Sequence, residues 1–227
     1  MLSLAVLAGP RNASCQEPDQ AALIQRIDAS VQARIERIAG YIVIEDYAVF
    51  RDADQTHPAA MMTVRTTYRK ETGKSYEILS ESGSGLILRF GLHSLLDNEK
   101  SINLPGNRER SWITSANYAM TLEPGLQTID GRACQSLRIS PRRKAPNMID
   151  GRIWVDAADA SIVRLEGSAS KSPSIWTGPT HMMRQYASQS GFAMATHAHA
   201  ESDSTLLGRS VVTIDYHDYQ IQLAAGR

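Results

Sequence analysis

The 227-residue chain lacks the features that mark several large classes of protein. It has no surplus of either charge: 24 lysines and arginines balance 24 aspartates and glutamates. A nucleic-acid binder normally carries a basic excess to neutralise phosphates, so that class is excluded. No apolar run approaches the ~18 residues that a membrane-spanning helix requires. Cysteine is nearly absent, with Cys15 and Cys134 alone, so no disulfide framework holds the fold. Catalytic signatures are missing too. There is no GxSxG, no Walker-type loop and no HExxH. Gly83-Ser84-Gly85 lacks the third glycine of a dinucleotide loop. No cofactor is implied, and the chain reads as a non-enzyme.

What is present is an ordinary globular composition, 42% hydrophobic and 21% charged, enough for one full core. Residues 1–15 read as a truncated export signal. Leu2 to Ala8 is a short apolar run, followed by small residues up to Cys15, though without a basic leader. This predicts a periplasmic protein whose single domain spans 16–227. Lipid attachment at Cys15 is the lesser alternative, because Asn12 stands where a lipobox wants an aliphatic residue. The other cysteine, Cys134, sits in a strand-like segment and is expected to be a buried small apolar residue.

Leu23, Ile24, Ile27, Val31, Ile35 and Ile38 recur at helical spacing, predicting an amphipathic helix over 20–39. Pro18-Asp19 supplies its start, and Gly40 is expected as its left-handed terminator. From residue 41 the period changes to 2. Strands are predicted at 41–51, 61–70, 75–80, 117–123, 133–140, 149–156, 161–169, 181–188, 192–201 and 208–221. Turn signals such as Pro124-Gly125, Asp130-Gly131 and Ser190-Gly191 separate them. Leu88, Leu92, Leu95 and Leu96 give weak helical spacing, so one or two short helices are expected over 86–100. With no helices between the later strands, a parallel sheet is excluded. Alternation such as Val163 and Leu165 against Arg164 and Glu166 marks an antiparallel sheet with one covered face. About ten such strands curl or close. The expected class is α+β: a curved antiparallel sheet forming an unclosed half-barrel. The N-terminal helix and the helical insertion cover its concave side.

Three clusters hold residue types suited to chemistry. His197 and His199 project from one strand face, with His181 and His217 in neighbouring strand segments, so a zinc-dependent enzyme is one alternative. Asp150, Asp156, Asp159 and Glu166 gather around one hairpin and fit turn chemistry better than acid–base catalysis. Arg138, Arg142, Arg143 and Lys144 form a basic run that reads as a solvated loop or a contact to anionic headgroups. Seven methionines, at 61, 62, 120, 148, 182, 183 and 194, fall in strand-like segments. They suit either a plain core or an adaptable acyl-chain surface.

The segments Gly131-Arg-Ala-Cys-Gln-Ser-Leu-Arg-Ile-Ser-Pro141, Gly151-Arg-Ile-Trp-Val-Asp156 and Ile162-Val-Arg-Leu-Glu-Gly167 resemble the outer-membrane lipoprotein-sorting (LolA-like) superfamily, in its divergent bacterial members. The opening helix followed by a strand meander has the same layout. The resemblance implies an open barrel with an apolar trough lidded by helices. It implies a periplasmic carrier of lipid or lipoprotein acyl chains, with an inner- or outer-membrane envelope protein as a further partner. Other members on this scaffold are envelope-stress sensors, which is the alternative reading. The carrier's lid-holding arginine has no assigned counterpart here; Arg65 and Arg89 lie in the right region only. The residues expected to line the trough are Met62, Leu88, Leu92, Met120, Ile153, Val163, Phe192 and Met194.

Overall fold

A computed structural model describes residues 19–52, 54–145, 147–171, 177–204 and 208–225. The expected signal segment and Cys15 lie outside these residues. Helix α1 spans Gln20–Arg37 and is capped by Asp19, whose carboxylate accepts the Ala21 amide at 3.0 Å. Such a cap satisfies one of the amides that a first helical turn leaves unpaired. Leu23, Ile27 and Val31 are its buried stripe, each side chain worth about 1.5–3 kcal/mol when fully removed from water.

The helix ends earlier than its periodicity suggests. Ile38 is already extended and begins strand β1 (Ile38–Arg51). Gly40 is therefore not a helix terminator but a strand residue. A Cβ there would lie 2.7 Å from the Tyr68 carbonyl oxygen of the neighbouring strand, so the glycine serves close strand approach.

Strands β2 (Ala60–Arg69) and β3 (Gly73–Gly83) complete the first meander. The insertion follows as α2 (Gly85–Ile87), a π-helical turn (Leu88–His93) and α3 (Ser94–Ile102), with a short 3-10 turn at Arg108–Ser111. The chain then runs through β4 (Tyr118–Ile129), β5 (Arg132–Pro141), β6 (Ile149–Asp156), β7 (Ile162–Ala169), β8 (Thr177–Gln189), β9 (Phe192–Ser204) and β10 (Gly208–Leu223).

All ten strands form one antiparallel sheet in the order β3-β2-β1-β10-β9-β8-β7-β6-β5-β4. The two edges, β3 and β4, do not pair, so the barrel stays open. Hairpins turn where the sequence predicts. Asp130-Gly131 and Ser190-Gly191 both take positive φ, the requirement of a tight two-residue turn that matches strand twist. Pro124-Gly125 does not end its strand. It is absorbed as an irregularity in the β4–β5 register between Leu122 and Leu126. On an edge strand the missing proline amide costs no ladder bond.

Two apolar clusters lie under the two helical covers. Leu23 and Ile27 of α1 pack on Met120, Leu137, Ile139, Ile153 and Leu165. Arg26 fastens α1 to the Ala158 carbonyl at 2.6 Å, and Asp28 accepts from the Ser115 amide at 2.8 Å. Leu92 and Leu96 of the insertion pack on Tyr47, Val49, Met62, Val64, Ala198 and Ile214. The fold is thus the α+β half-barrel that the sequence predicts.

Candidate functional site

The concave face is the candidate site. Strand alternation turns Val43, Glu45, Tyr47 and Val49 of β1 inward together, all buried. Their partners Val64, Met62 and Ala60 on β2 face the same side. The insertion closes over this row with Leu92 and Leu96, which are 1% and 5% exposed, and with half-buried Leu88. Its outer side carries Leu86 and Phe90, both well exposed, with the Arg89 guanidinium against the Phe90 ring at 5.4 Å.

The trough is not wholly apolar. Glu45, only 1% exposed, accepts from the Tyr47 hydroxyl at 2.5 Å. Glu99, on α3, meets Lys74 of β3 at 2.5 Å, accepts from Tyr76 at 3.3 Å and lies 3.9 Å from Arg184 of β8. One carboxylate on the insertion thereby ties it to strands from both sides of the trough. Burial alone would raise the Glu99 pKa. Lys74 beside it, then Arg184 and the hydrogen bonds from Lys74 and Tyr76, outweigh that and hold it at about 2. Burial works against the Lys74 charge as well, but the Glu99 carboxylate wins and raises its pKa well above the ordinary range. Burial pushes the Tyr47, Tyr76 and Tyr216 hydroxyls up, so they stay neutral donors. The Arg184 Nε and the Thr66 hydroxyl are buried without a hydrogen-bond partner.

The expected lining residues fall into four groups. Met62, Leu88 and Leu92 meet beneath the insertion. Met120 and Ile153 meet beneath α1. Phe192 and Met194 pack with Ile38, where α1 runs into β1, and Arg37 sits 5.1 Å from the Phe192 ring. Val163 does not join them. It packs with Cys134 and Trp154 on the convex face. The β6–β7 register shifts between Trp154 and Val155, and a one-residue slip reverses the face that a side chain takes. Cys134 is fully buried in this small cluster, as its setting predicts.

The histidines do not assemble. Each of the protein's six has a carboxylate within ion-pairing distance: His57 with Asp54, His93 with Glu81, His181 with Glu166, His197 with Asp215, His199 with Glu201, and His217 with Asp46 and Asp218. Among the described residues no three histidine, cysteine or acidic side chains converge as a metal site. Asp156 and Asp159 do turn work, accepting the Ala158 and Ser161 amides at 2.8 Å each. Arg65 pairs with Glu77 at 2.6 Å, so neither it nor exposed Arg89 reaches into the trough.

The sequence reading missed Glu45, Lys74, Tyr76, Glu99 and Arg184. Only Glu45 carried a signal, as the single acid in an otherwise apolar alternating set. Sequence comparison adds nothing: no family model and no curated protein matches the chain. The fold does have solved counterparts. One is a domain from Vibrio parahaemolyticus named for outer membrane lipoprotein sorting. It is 14% identical, with 89% of this chain and 94% of that one covered and a TM-score of 0.51. A LolA superfamily protein from Nitrosomonas europaea is 10% identical over 89% of this chain and 93% of its own, with a TM-score of 0.45. A DUF1329 family protein from Desulfovibrio piger is 12% identical over 91% and 94%, with a TM-score of 0.44. Among the described residues no helix is long and apolar enough to cross a membrane. The chain is similar in fold to the Vibrio parahaemolyticus domain, with its ten-stranded sheet left open.

Proposed function

We propose that this protein is a periplasmic, non-enzymatic binder of lipid or lipoprotein acyl chains, acting in lipoprotein sorting or envelope lipid transport. The observation that carries the reading is the insertion itself. Leu88, Leu92 and Leu96 fill an apolar trough from above, resting on Met62, Tyr47 and Ile214. They occupy the place that an acyl chain takes when the insertion swings away. Met120, Ile153, Phe192 and Met194 extend the apolar lining along the covered face. Methionine adapts to chains of different shape because its side chain is flexible and polarizable. The Glu99 contacts to Lys74 and Arg184 hold the closed form. An inner- or outer-membrane protein that receives the cargo is the expected partner.

The test is extraction of lipid from protein purified from its native host, followed by mass spectrometry. Acyl lipid near one equivalent supports the carrier. No co-purifying lipid, together with no binding of a fluorescent fatty acid, overturns it. A second reading, an envelope-stress sensor on the same scaffold, is favoured by one feature. The trough holds two acids and two cations, the buried Glu45 and the partly buried Glu99, Lys74 and Arg184. Such a cluster favours one fixed arrangement over a yielding one. Under that reading an envelope protein, not lipid, co-purifies.

A further inference from the structure

The convex face carries a feature that the trough does not use. Arg138 on β5 is directly opposite Arg152 on β6, and Arg152 is opposite Glu166 on β7. Two like charges facing each other across antiparallel strands are destabilising. Here only Arg152 makes a direct ion pair. Arg152 is clasped by Glu123, with Nε to Oε2 at 2.5 Å and a second nitrogen to Oε1 at 2.8 Å. Glu166 is engaged by Arg164 at 2.8 Å and His181 at 3.6 Å. Arg138 is exposed and makes no side-chain hydrogen bond or ion pair within 4.0 Å among the described residues, although its charge acts on the same Glu123 carboxylate. Three guanidiniums thus face two carboxylates.

Beside this pair lies a depression of about 220 Å³. Arg138, Arg152, Trp154, Glu166 and His181 line it, and the backbone of Gly151 and Gly167 completes it. The two glycines are there because β6 and β7 approach closely. They pair with each other across β6 and β7, and a Cβ on Gly151 would lie 2.1 Å from the Glu166 carbonyl oxygen. The indole of Trp154 is held in place by its Nε1 donating to Gln127 at 2.8 Å. The Arg152 and Arg164 guanidiniums lie 5.6 and 5.2 Å from its ring. The Nε of Arg164 is buried and has no acceptor.

We propose that this depression is a binding site for a phosphate group, held between Arg138 and Arg152 with His181 as a further donor and Trp154 as an apolar wall. The volume is below the roughly 300 Å³ at which sites for drug-sized ligands begin, so it suits a single phosphate and its ester link. Arginine is the natural partner, since its planar fork matches phosphate oxygens. Two sources share this chemistry: a water-soluble phosphate compound and the headgroup of an anionic phospholipid.

The test follows the Trp154 indole N–H resonance during titration with inorganic phosphate, against sodium chloride of equal ionic strength. In parallel, the protein is sedimented with vesicles of phosphatidylcholine alone and of phosphatidylcholine mixed with phosphatidylglycerol. Arg138→Gln is the variant. Its side chain is exposed and opposes Arg152, so an unchanged or slightly raised melting midpoint is the expectation, which checks folding. A saturable indole shift, weakened about tenfold or more in Arg138→Gln as for loss of a charged hydrogen bond, supports the site. If only phosphate binds in this way, the ligand is soluble. If anionic vesicles also sediment the protein in an Arg138-dependent manner, it is a lipid headgroup. If neither probe's binding depends on Arg138, the proposal is wrong. These outcomes do not depend on whether the concave trough takes acyl chains.

Discussion

Replacing Glu99 by Gln tests the bond between the insertion and the sheet. The amide keeps the shape of the side chain but leaves Lys74, 2.5 Å away, and Arg184, 3.9 Å away, without their carboxylate. The Glu99 carboxyl sits at about 2 in the fold against an ordinary value of 4.5. Each pK unit is worth about 1.4 kcal/mol, so the folded state gains about 3 kcal/mol from the ionised carboxylate at neutral pH. Loss of one partner from a largely buried pair costs up to a similar amount. For a chain of this size, that lowers the melting midpoint by about 6–12 °C. The sign with pH follows from the depressed value. The contribution is present above pH 4.5 and is lost as pH falls towards 2. Thermal melts of the wild type and Glu99→Gln at a series of pH values should therefore show a wide gap at pH 7 that narrows below pH 4.5. A variant melting within ~2 °C of wild type at pH 7, less than about 1 kcal/mol, refutes the latch. So does a gap that stays constant into acid.

Two further outcomes are expected. Gly151→Ala drives a methyl to 2.1 Å from the Glu166 carbonyl and must part β6 from β7. It should lower the melting midpoint, and amide exchange should speed up in those two strands more than in β1 and β2. His217 has its pKa raised by hydrogen bonds to Asp46 and Asp218. Its share of stability is present below 6.5 and fades as pH rises through the raised value, and in Asp46→Asn an NMR titration should show its pKa lower than in wild type.

The architecture was legible because each local rule agreed with the next. Asp19 caps where Asp should, the Asp130-Gly131 and Ser190-Gly191 turns supply positive φ at two successive positions, and period-2 alternation marks ten strands in their order. The misreadings arose where tertiary contact changes the meaning of a residue. Gly40 stops a helix or admits a neighbouring strand, and only the Tyr68 carbonyl at 2.7 Å decides between them. Val163 belongs inside by simple alternation, yet a register shift within its own β6–β7 hairpin turns it outward. The charged cluster was hidden for another reason. Lys74, Glu99 and Arg184 come from β3, α3 and β8, more than 20 residues apart at each step. Each alone reads as an ordinary solvated side chain. The opposition of Arg138 to Arg152 likewise needs the strand register, which hydrophobic patterning sets only to within one residue.

If the insertion and an acyl chain compete for one trough, their burial energies set which cargo can enter. Opening the insertion exposes Leu88, Leu92 and Leu96, at about 2 kcal/mol each, or ~6 kcal/mol. Breaking the Glu99 contacts adds about 3 kcal/mol from its displaced pKa. An entering chain recovers about 0.8 kcal/mol per methylene, so it breaks even at about 11 methylenes. Fatty acids of roughly eight carbons should fail to displace a fluorescent fatty acid, whereas those of roughly sixteen should succeed. In Glu99→Gln the opening cost falls by about 3 kcal/mol, and the threshold should move down by about four methylenes. Displacement curves for a homologous series, run on both proteins, measure this directly. Affinity independent of chain length would mean that the leucines of the insertion do not stand in for cargo. A threshold equal in the two proteins would mean that Glu99 does not hold the trough closed.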